Sequence, residues 1–530
     1  MTGYFPQLRF FHAVTLVCFV LLTFLACSND LQAEAKKELF HNEDSTNFFY
    51  FQEIPDGKTA IGELIDHYID VMADAGVTTF LCNTNARRTN YHSDVWDTYW
   101  GSYDPDGPDD QPFLKPMGPG GDKEYRKLIG NMLKVHQQGI DYPARIAERC
   151  RHRGISPWIT LRMNDCHFNH NPAHPFHGTF WKKNPQFARK NCTGYFATCL
   201  DYAHPEVRDY YMALIDETLR RYDIDGLELD FMREPYLFSA GKEAEGAVIL
   251  TDWIRQVRKT IDAAAARRRH PINLGVRVPS CPKTASKMGL KAVDWAKQGL
   301  IDVLVAAPRW DTLEFDMPIE EWKRLLAGTK TKLLGGLEVN YRPCSGGTAS
   351  YVTPEIATGA AVCVLSRGAD AVYLFNYFQN GHPKWAPDVY RKTLSDMTSL
   401  DSLLKKPRRV GVTHRDIVAP GEKYRPPLPA NGKEIVFPFR LGPVIAKSVP
   451  CELLIGLASS KESTTPAPSV SVNGKACKVI SDTASKTAER QIVFSVPQEA
   501  LKASGAQEVK ISAANGEPLT LERLEMSLGP

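Results

Sequence analysis

The sequence predicts an α/β chain: an eight-stranded (β/α)8 TIM barrel followed by a small C-terminal antiparallel β-sandwich. Short β-rich apolar runs alternate with helical periodicity eight times between about residues 47 and 404. That is the pattern of parallel strands joined by crossover helices, and eight is the barrel number. Beyond Pro407 the helical period disappears and strictly alternating runs take over. A doubly wound open sheet would also alternate, but it has fewer strands and a glycine-rich first turn, which this chain lacks.

The 530 residues are 43% hydrophobic, 24% charged and 10% aromatic. These are ordinary values for a globular protein and exclude bulk disorder, collagen and a membrane-spanning bundle. Lys plus Arg (64) nearly cancels Asp plus Glu (61), so no bulk field gathers nucleic acid, and the expected ligand is neutral or weakly charged. Arg9 precedes an apolar run from about Phe10 to Ala26, which reads as a signal-peptide core. Two exits compete. Ala33-Glu34-Ala35 fits ordinary cleavage, whereas Phe24-Leu25-Ala26-Cys27 resembles a bacterial lipobox with Phe24 where Leu is usual, and lipidation of Cys27 would tether the chain to a membrane. The expected organisation is a leader over 1–35, a barrel over 36–405 and a sandwich over 406–530. The expected location is periplasmic, extracellular or outer-membrane-anchored.

The strand candidates, in order, are Asn47–Phe51, Val77–Asn83, Ile155–Arg162, Ile224–Asp230, Ile272–Val278, Ile301–Ala306, Lys332–Glu338 and Ala371–Asn376. Between them helices are expected at Ile61–Ala75, Pro205–Tyr222, Ala244–Arg268, Ile319–Leu326, Pro354–Ser366 and Pro387–Leu404. In Pro205–Tyr222 the apolar stripe Val207, Tyr211, Leu214, Ile215, Tyr222 faces the sheet, and Pro205 suits a first turn. The connections after the second and third strands are long, and both leave the C-terminal strand ends, where barrel active sites lie. They carry Trp96 and Trp100, then Phe168, Phe176 and Trp181. Such rings suit the apolar faces of sugars, or simply pack the loops over the barrel. In the sandwich, Asn473-Gly474 between two alternating runs signals a hairpin. Ten cysteines follow the leader without a C-x-x-C pair; Cys192/Cys199 and Cys451/Cys477 are the candidate staples, and buried free thiols the alternative.

Tyr222-Asp223-Ile224-Asp225-Gly226-Leu227-Glu228-Leu229-Asp230-Phe231 is the most informative segment. Period two sends Leu227 and Leu229 toward the helices and Glu228 and Asp230 into the barrel. An inward charge must be paired, and Arg162 and Arg277 on the flanking strands are the expected partners. Glycoside hydrolysis needs a second carboxyl. Glu338, closing the seventh strand, is the first choice and Asp311, after the sixth, the rival. Arg162, Asn164, Asp165, Glu228, Arg277, Arg309, Trp310, Asn376, Asn83, Trp96 and Trp100 are candidate sugar contacts, with helix capping or turn bonding as the plain alternative for the amides. His167, His170, His174 and His177 cluster in one loop, yet no H-E-x-x-H or paired C-x-x-C accompanies them, so no metal or other cofactor is expected.

The run His204-Pro205-Glu206-Val207-Arg208-Asp209-Tyr210, then Arg221 through Asp230, resembles bacterial glycosyl hydrolase-like proteins of the family 10-like type. Asp294-Trp295-Ala296-Lys297-Gln298-Gly299-Leu300-Ile301-Asp302 is similar to that family's segment before strand six. The resemblance implies a TIM barrel acting on glycosides, with Asp230 matching the acid that ends strand four. The family's Pro-Gln-x-Tyr-like stretch after strand six is replaced here by Ala307-Pro308-Arg309-Trp310. Met232 stands where a chitinase-type barrel has its catalytic Glu.

The expectation is therefore an exported glycoside hydrolase using Asp230 as nucleophile or base and Glu338 as acid. A non-catalytic surface glycan-binding protein, and a metal-dependent hydrolase using the His167–His177 loop, are the alternatives.

Overall fold

The computed structural model describes residues 37–529 apart from 45, 119–120, 378–382, 445–448, 459–465 and 484–488. The expected leader, including Cys27, lies outside the described residues. Eight parallel strands close into a barrel: β1 (Leu39–Glu43), β2 (Thr79–Asn83), β3 (Ser156–Arg162), β4 (Gly226–Asp230), β5 (Asn273–Pro279), β6 (Val303–Ala307), β7 (Lys332–Glu338) and β8 (Ala371–Phe375), with β8 returning to β1. The predicted fold class is observed.

The first strand is a correction. Asn47–Phe51 forms one short helix, and Leu39–Glu43 takes the strand position instead. The aromatic run looked strand-like, but Phe48 and Phe49 are adjacent in sequence and both buried, against Tyr142 at ring separations of 5.1 and 4.8 Å. Period two cannot bury two successive side chains on one face; a helical turn can. β1 was hidden by its polar residues, each of which finds a buried partner. His41 Nε2 lies 2.9 Å from the Tyr377 carbonyl, Asn42 donates to Tyr373, and Glu43 accepts from Tyr142. Burial pushes Glu43 up to about 8 and His41 down to about 4, so both are held neutral near pH 7.

Alternation along the strands sorts side chains into two cores. Leu227 and Leu229 pack between sheet and helices, whereas Phe40, Leu81, Trp158, Val305, Leu334 and Tyr373 fill the barrel interior. Trp158 is accommodated by glycine on the next two strands: a Cβ on Gly226 would fall 2.1 Å from its indole, and one on Gly275 2.9 Å away. The outer helices lie at the predicted positions, among them Pro205–Arg221, Glu243–Arg268 and Pro354–Ser366, and the first buries Val207, Tyr211, Leu214 and Ile215 of its predicted stripe. The last predicted helix divides into Pro387–Asp396 and Leu400–Leu404, the second capped by the Ser399 side chain on the Ser402 N–H.

Beyond Pro407 the strands form two antiparallel sheets. One runs Arg408–Gly411, Leu519–Leu528, Cys451–Leu457, Arg490–Ser495, Lys478–Thr483. The other runs Glu434–Arg440, Ala506–Ser512, Ser469–Val472, Lys475–Ala476. Asn473 and Gly474 turn the predicted hairpin at φ +48° and +79°, the signs a type I′ turn demands. These sheets are seated directly on the barrel. A Cβ on Gly359 would lie 2.1 Å from the Arg409 carbonyl, and Tyr341 donates to Glu525 at 2.7 Å. All ten cysteines among the described residues are free thiols, so neither candidate staple is formed.

Candidate active site

Glu228 and Asp230 both point into the barrel, as the alternation of β4 requires, but at different depths. Glu228 accepts from Thr160 at 2.7 Å, Tyr373 at 2.8 Å and Asn42 at 3.2 Å. Burial, together with the charge of Asp230, raises it to about 7. All three donors converge on its Oε1, which ties it into the barrel interior below the mouth.

One layer higher, Asp230 pairs with Arg277, in register on β5, at 3.2 Å, and accepts the Met232 N–H at 2.8 Å. Arg277 spends its other amino group on the carbonyls of Pro308 and Arg309 and stacks 4.0 Å over Phe375. Glu338 ends β7, two strands on from β5, and is 0% exposed. One of its oxygens accepts its neighbour's N–H from Val339, and Oε2 has no hydrogen-bond partner among the described residues. Burial pushes this carboxyl up to about 8 against the pull of Arg277, so it carries its proton at neutral pH. The two acids named from sequence thus flank one arginine: Asp230 ion-paired, Glu338 protonated.

An open cleft of about 490 Å³ lies over the ends of β1, β3 and β4, its walls including Asp44, Arg162, His167, Phe168 and Arg233. Arg162 is the strand neighbour of Asp230 and bridges Asp44 at 2.7 Å and Asp165 at 3.1 Å. Asn85 holds it from behind, bonding both its N–H and its carbonyl. Burial would raise Asp44 and Asp165, but their neighbours prevail: Arg162 and Arg233 hold Asp44 below the usual carboxylate range, and the contact with His167, together with both arginines, holds Asp165 well below it. Sequence reasoning missed Asp44 and Arg233. Asp44 follows the strand that was misplaced, and Arg233 lies just three residues past Asp230.

The remaining candidates divide. Arg309 bonds Glu234 at 2.8 Å and the Arg233 carbonyl at 3.0 Å, and Trp310 beside it is 38% exposed. Asp311 is tied to His414 at 3.2 Å and Arg342 at 3.0 Å, which hold its pKa down. These partners favour its anionic form. The loop itself is pinned by Asp416, another residue the sequence did not flag, whose carboxylate accepts the N–H groups of Arg309, Trp310 and Asp311.

Asn164 is consumed by the Leu200 N–H and the Leu200 and Tyr236 carbonyls, and Asn83 bonds the Thr160 carbonyl. Asn376 sits at φ +64° with Oδ1 lacking a partner among the described residues. Trp96 is buried, stacked 4.1 Å on Tyr210 and bonded to its carbonyl, and Trp100 stacks on His136. Both therefore pack the loop, the plainer of the two expectations.

The histidines disperse. His174 stacks on Phe168 at 3.8 Å, while His177 lies 3.0 Å from Arg87 and within hydrogen-bond reach of the Phe168 and Asn171 carbonyls. Among the described residues no three His, Cys, Asp or Glu side chains are grouped to hold a metal ion.

Comparison with known proteins bears on this barrel. Residues 125–245 match the family Glycosyl hydrolase-like 10. The matched segment runs from within Gly121–Gln137 to the start of Glu243–Arg268 and includes β3, β4, Arg162, Asp165, Glu228, Asp230 and Arg233. Among solved structures the chain is similar to alpha-L-fucosidase isoenzyme 2 from Paenibacillus thiaminolyticus, at 11% identity and TM-score 0.40 over 71% of this chain and 51% of that one. It thus spans about half the length of that fucosidase. It is also similar to the PgaB (BpsB) glycoside hydrolase domain from Bordetella bronchiseptica, at 11% identity and TM-score 0.40 over 69% of this chain and 99% of that one. No curated protein matches the sequence.

Proposed function

We propose that the protein is an exported glycoside hydrolase that cleaves O-glycosidic bonds of a poly- or oligosaccharide at the C-terminal mouth of the barrel. Asp230 acts as nucleophile or general base and Glu338 as general acid. The observation that carries this reading is the contrast between the two carboxyls. Glu338 holds its proton near neutral pH because it is buried with one oxygen unpartnered, while Asp230 is ion-paired to Arg277. Paired acids whose surroundings differ in this way are what acid-assisted glycoside cleavage requires. The glycosyl hydrolase-like match over residues 125–245 supports it. The open cleft is lined by Arg162, the strand neighbour of Asp230, which supports a glycan bound beside these acids.

The test is a screen of the purified protein on polysaccharides for new reducing ends, with Asp230→Asn and Glu338→Gln alongside. Each substitution is expected to lower turnover by about 10²-fold or more. Undiminished activity in both would overturn the assignment. One observation favours a second reading of the base: Asp44, unlike Asp230, lines the open cleft. Loss of turnover in Asp44→Asn with retention in Asp230→Asn would transfer the role. Binding without turnover on every glycan would return the protein to the glycan-binding class. Export, and anchoring through Cys27, rest on the leader sequence; lipid labelling of the expressed protein that vanishes in Cys27→Ser is the corresponding test.

A further inference from the structure

The inner wall of the cleft carries a buried cation without a counter-ion in contact. Three arginines of the mouth each hold a carboxylate: Arg162 with Asp44 and Asp165, Arg277 with Asp230, Arg309 with Glu234. Arg233 does not. It is 4% exposed, lines the cleft, and among the described residues makes no ion pair. Its Nη2 lies 3.2 Å from His167 Nε2, and its Nε is buried with no hydrogen-bond partner.

The acids around it are occupied elsewhere. A guanidinium only donates, so His167 accepts through Nε2 and carries its proton on Nδ1, which donates to Asp165 at 2.8 Å. Asp165 also accepts from Arg162, Asp44 pairs with Arg162, and Glu234 with Arg309. Burial and the neighbouring Arg162 lower the pKa of Arg233 by more than the charges of Asp44, Glu234 and Asp165 raise it. A desolvated guanidinium of this kind is costly unless an anion completes it.

The wall beside it is also shaped for a ring. Phe168 is 37% exposed on the same cleft, sits at φ +57°, a conformation a bulky residue rarely adopts, and stacks on His174. An exposed ring and a buried cation lining one cleft are a pairing suited to a sugar that bears a negative group.

We propose that Arg233 anchors an anion subsite that takes an oxyanion substituent of the glycan, the carboxylate of a uronic acid or a sulfate ester, with Phe168 against the sugar face. The proposal rests on the reading of this cleft as a glycan groove and adds the substrate class: an acidic polysaccharide, selected by one local charge although the chain as a whole is nearly neutral.

The test compares paired ligands on the wild-type protein by titration calorimetry: oligogalacturonate against its methyl ester, and a sulfated galactan oligosaccharide against its desulfated form. Each pair keeps the rings and removes the charge. At least one charged form is expected to bind about tenfold or more tightly than its neutral partner, the size of a charge-assisted hydrogen bond. The pair that shows it identifies the substituent. Arg233→Met should bring the ratio toward one, and Arg233→Lys should retain most of it. Equal affinities within both pairs, or no binding of any member, overturn the proposal, and the wild-type comparison stands even if Arg233→Met fails to fold. Acid-selective binding without release of reducing ends would leave the subsite and remove the hydrolase reading. Turnover of neutral glycans with no acid selectivity would do the reverse.

Discussion

Arg277 Nη1 lies 3.2 Å from Asp230 Oδ2, and each residue is 1% exposed, so the ion pair at the end of β4 is shut away from water. Neither can be changed alone without stranding the other. Breaking a buried pair by removing one partner costs about 3–5 kcal/mol. Arg277→Met is therefore expected to destabilise the protein by that order in chemical denaturation. The double variant Arg277→Met/Asp230→Asn should lose clearly less than the sum of the singles; strict additivity would mean that the two groups do not depend on each other.

Glu338 makes a pH-dependent contribution whose sign follows from its raised pKa of about 8. Between an unfolded value near 4.5 and the folded value of about 8, the folded state holds a proton that the unfolded state has released. The stabilising effect of the buried acid is thus full at low pH and is lost as pH rises through this window. Glu43, at about 8, and Glu314, at about 7, act in the same direction. Wild-type stability is expected to fall between about pH 5 and 8 by more than that of Glu338→Gln. Parallel stability curves for the two proteins would refute the assignment. If Glu338 is the proton donor, turnover should also decline above about pH 8, where the acid form is lost.

Most of the barrel was legible because its strands are apolar where they face the helices, and helical stripes separate them. What escaped was polar and buried. β1 holds His41, Asn42 and Glu43, whose partners Tyr377, Tyr373 and Tyr142 come from distant segments, so nothing local distinguished it from a loop. Asp44 went with it. Asp230, Arg162 and Arg277 were readable because strand alternation aims them inward, and the structure joins Asp230 to Arg277 as expected. The tryptophans were misleading for the opposite reason: composition says that aromatics sit in long loops, but only packing decides whether a ring such as Trp96 faces solvent or, as here, Tyr210.

The Trp158 indole fixes what β4 can tolerate at its base. A Cβ at position 226 would sit 2.1 Å from the indole ring, well inside any real contact. Because Trp158 is enclosed by the interior core, it has little room to yield. Gly226→Ala is expected to cost about 3 kcal/mol or more, the upper end of overpacking effects. Adding Trp158→Phe should recover part of that loss, even though it is itself destabilising. A Gly226→Ala melting temperature equal to wild type would show that the barrel interior is looser than its packing indicates.

Asp416 gathers three consecutive N–H groups, of Arg309, Trp310 and Asp311, onto one carboxylate at 2.9–3.1 Å. The residue comes from the segment that follows Arg408–Gly411, so the C-terminal region fixes the shape of the loop after β6. That loop presents Arg309 to Glu234 and holds the carbonyls that bind Arg277. Asp416→Ala leaves three donors to find water or remain unsatisfied, and a part-exposed site of this kind is expected to lose about 1–2 kcal/mol. The sharper readout is local. Hydrogen exchange should accelerate over residues 308–312 well beyond the change in the barrel strands, because the loop would open without global unfolding. Equal protection of that loop in wild type and variant would mean that Asp416 accepts these bonds without supporting the loop. Exchange accelerated uniformly through the barrel would instead make it a determinant of global stability.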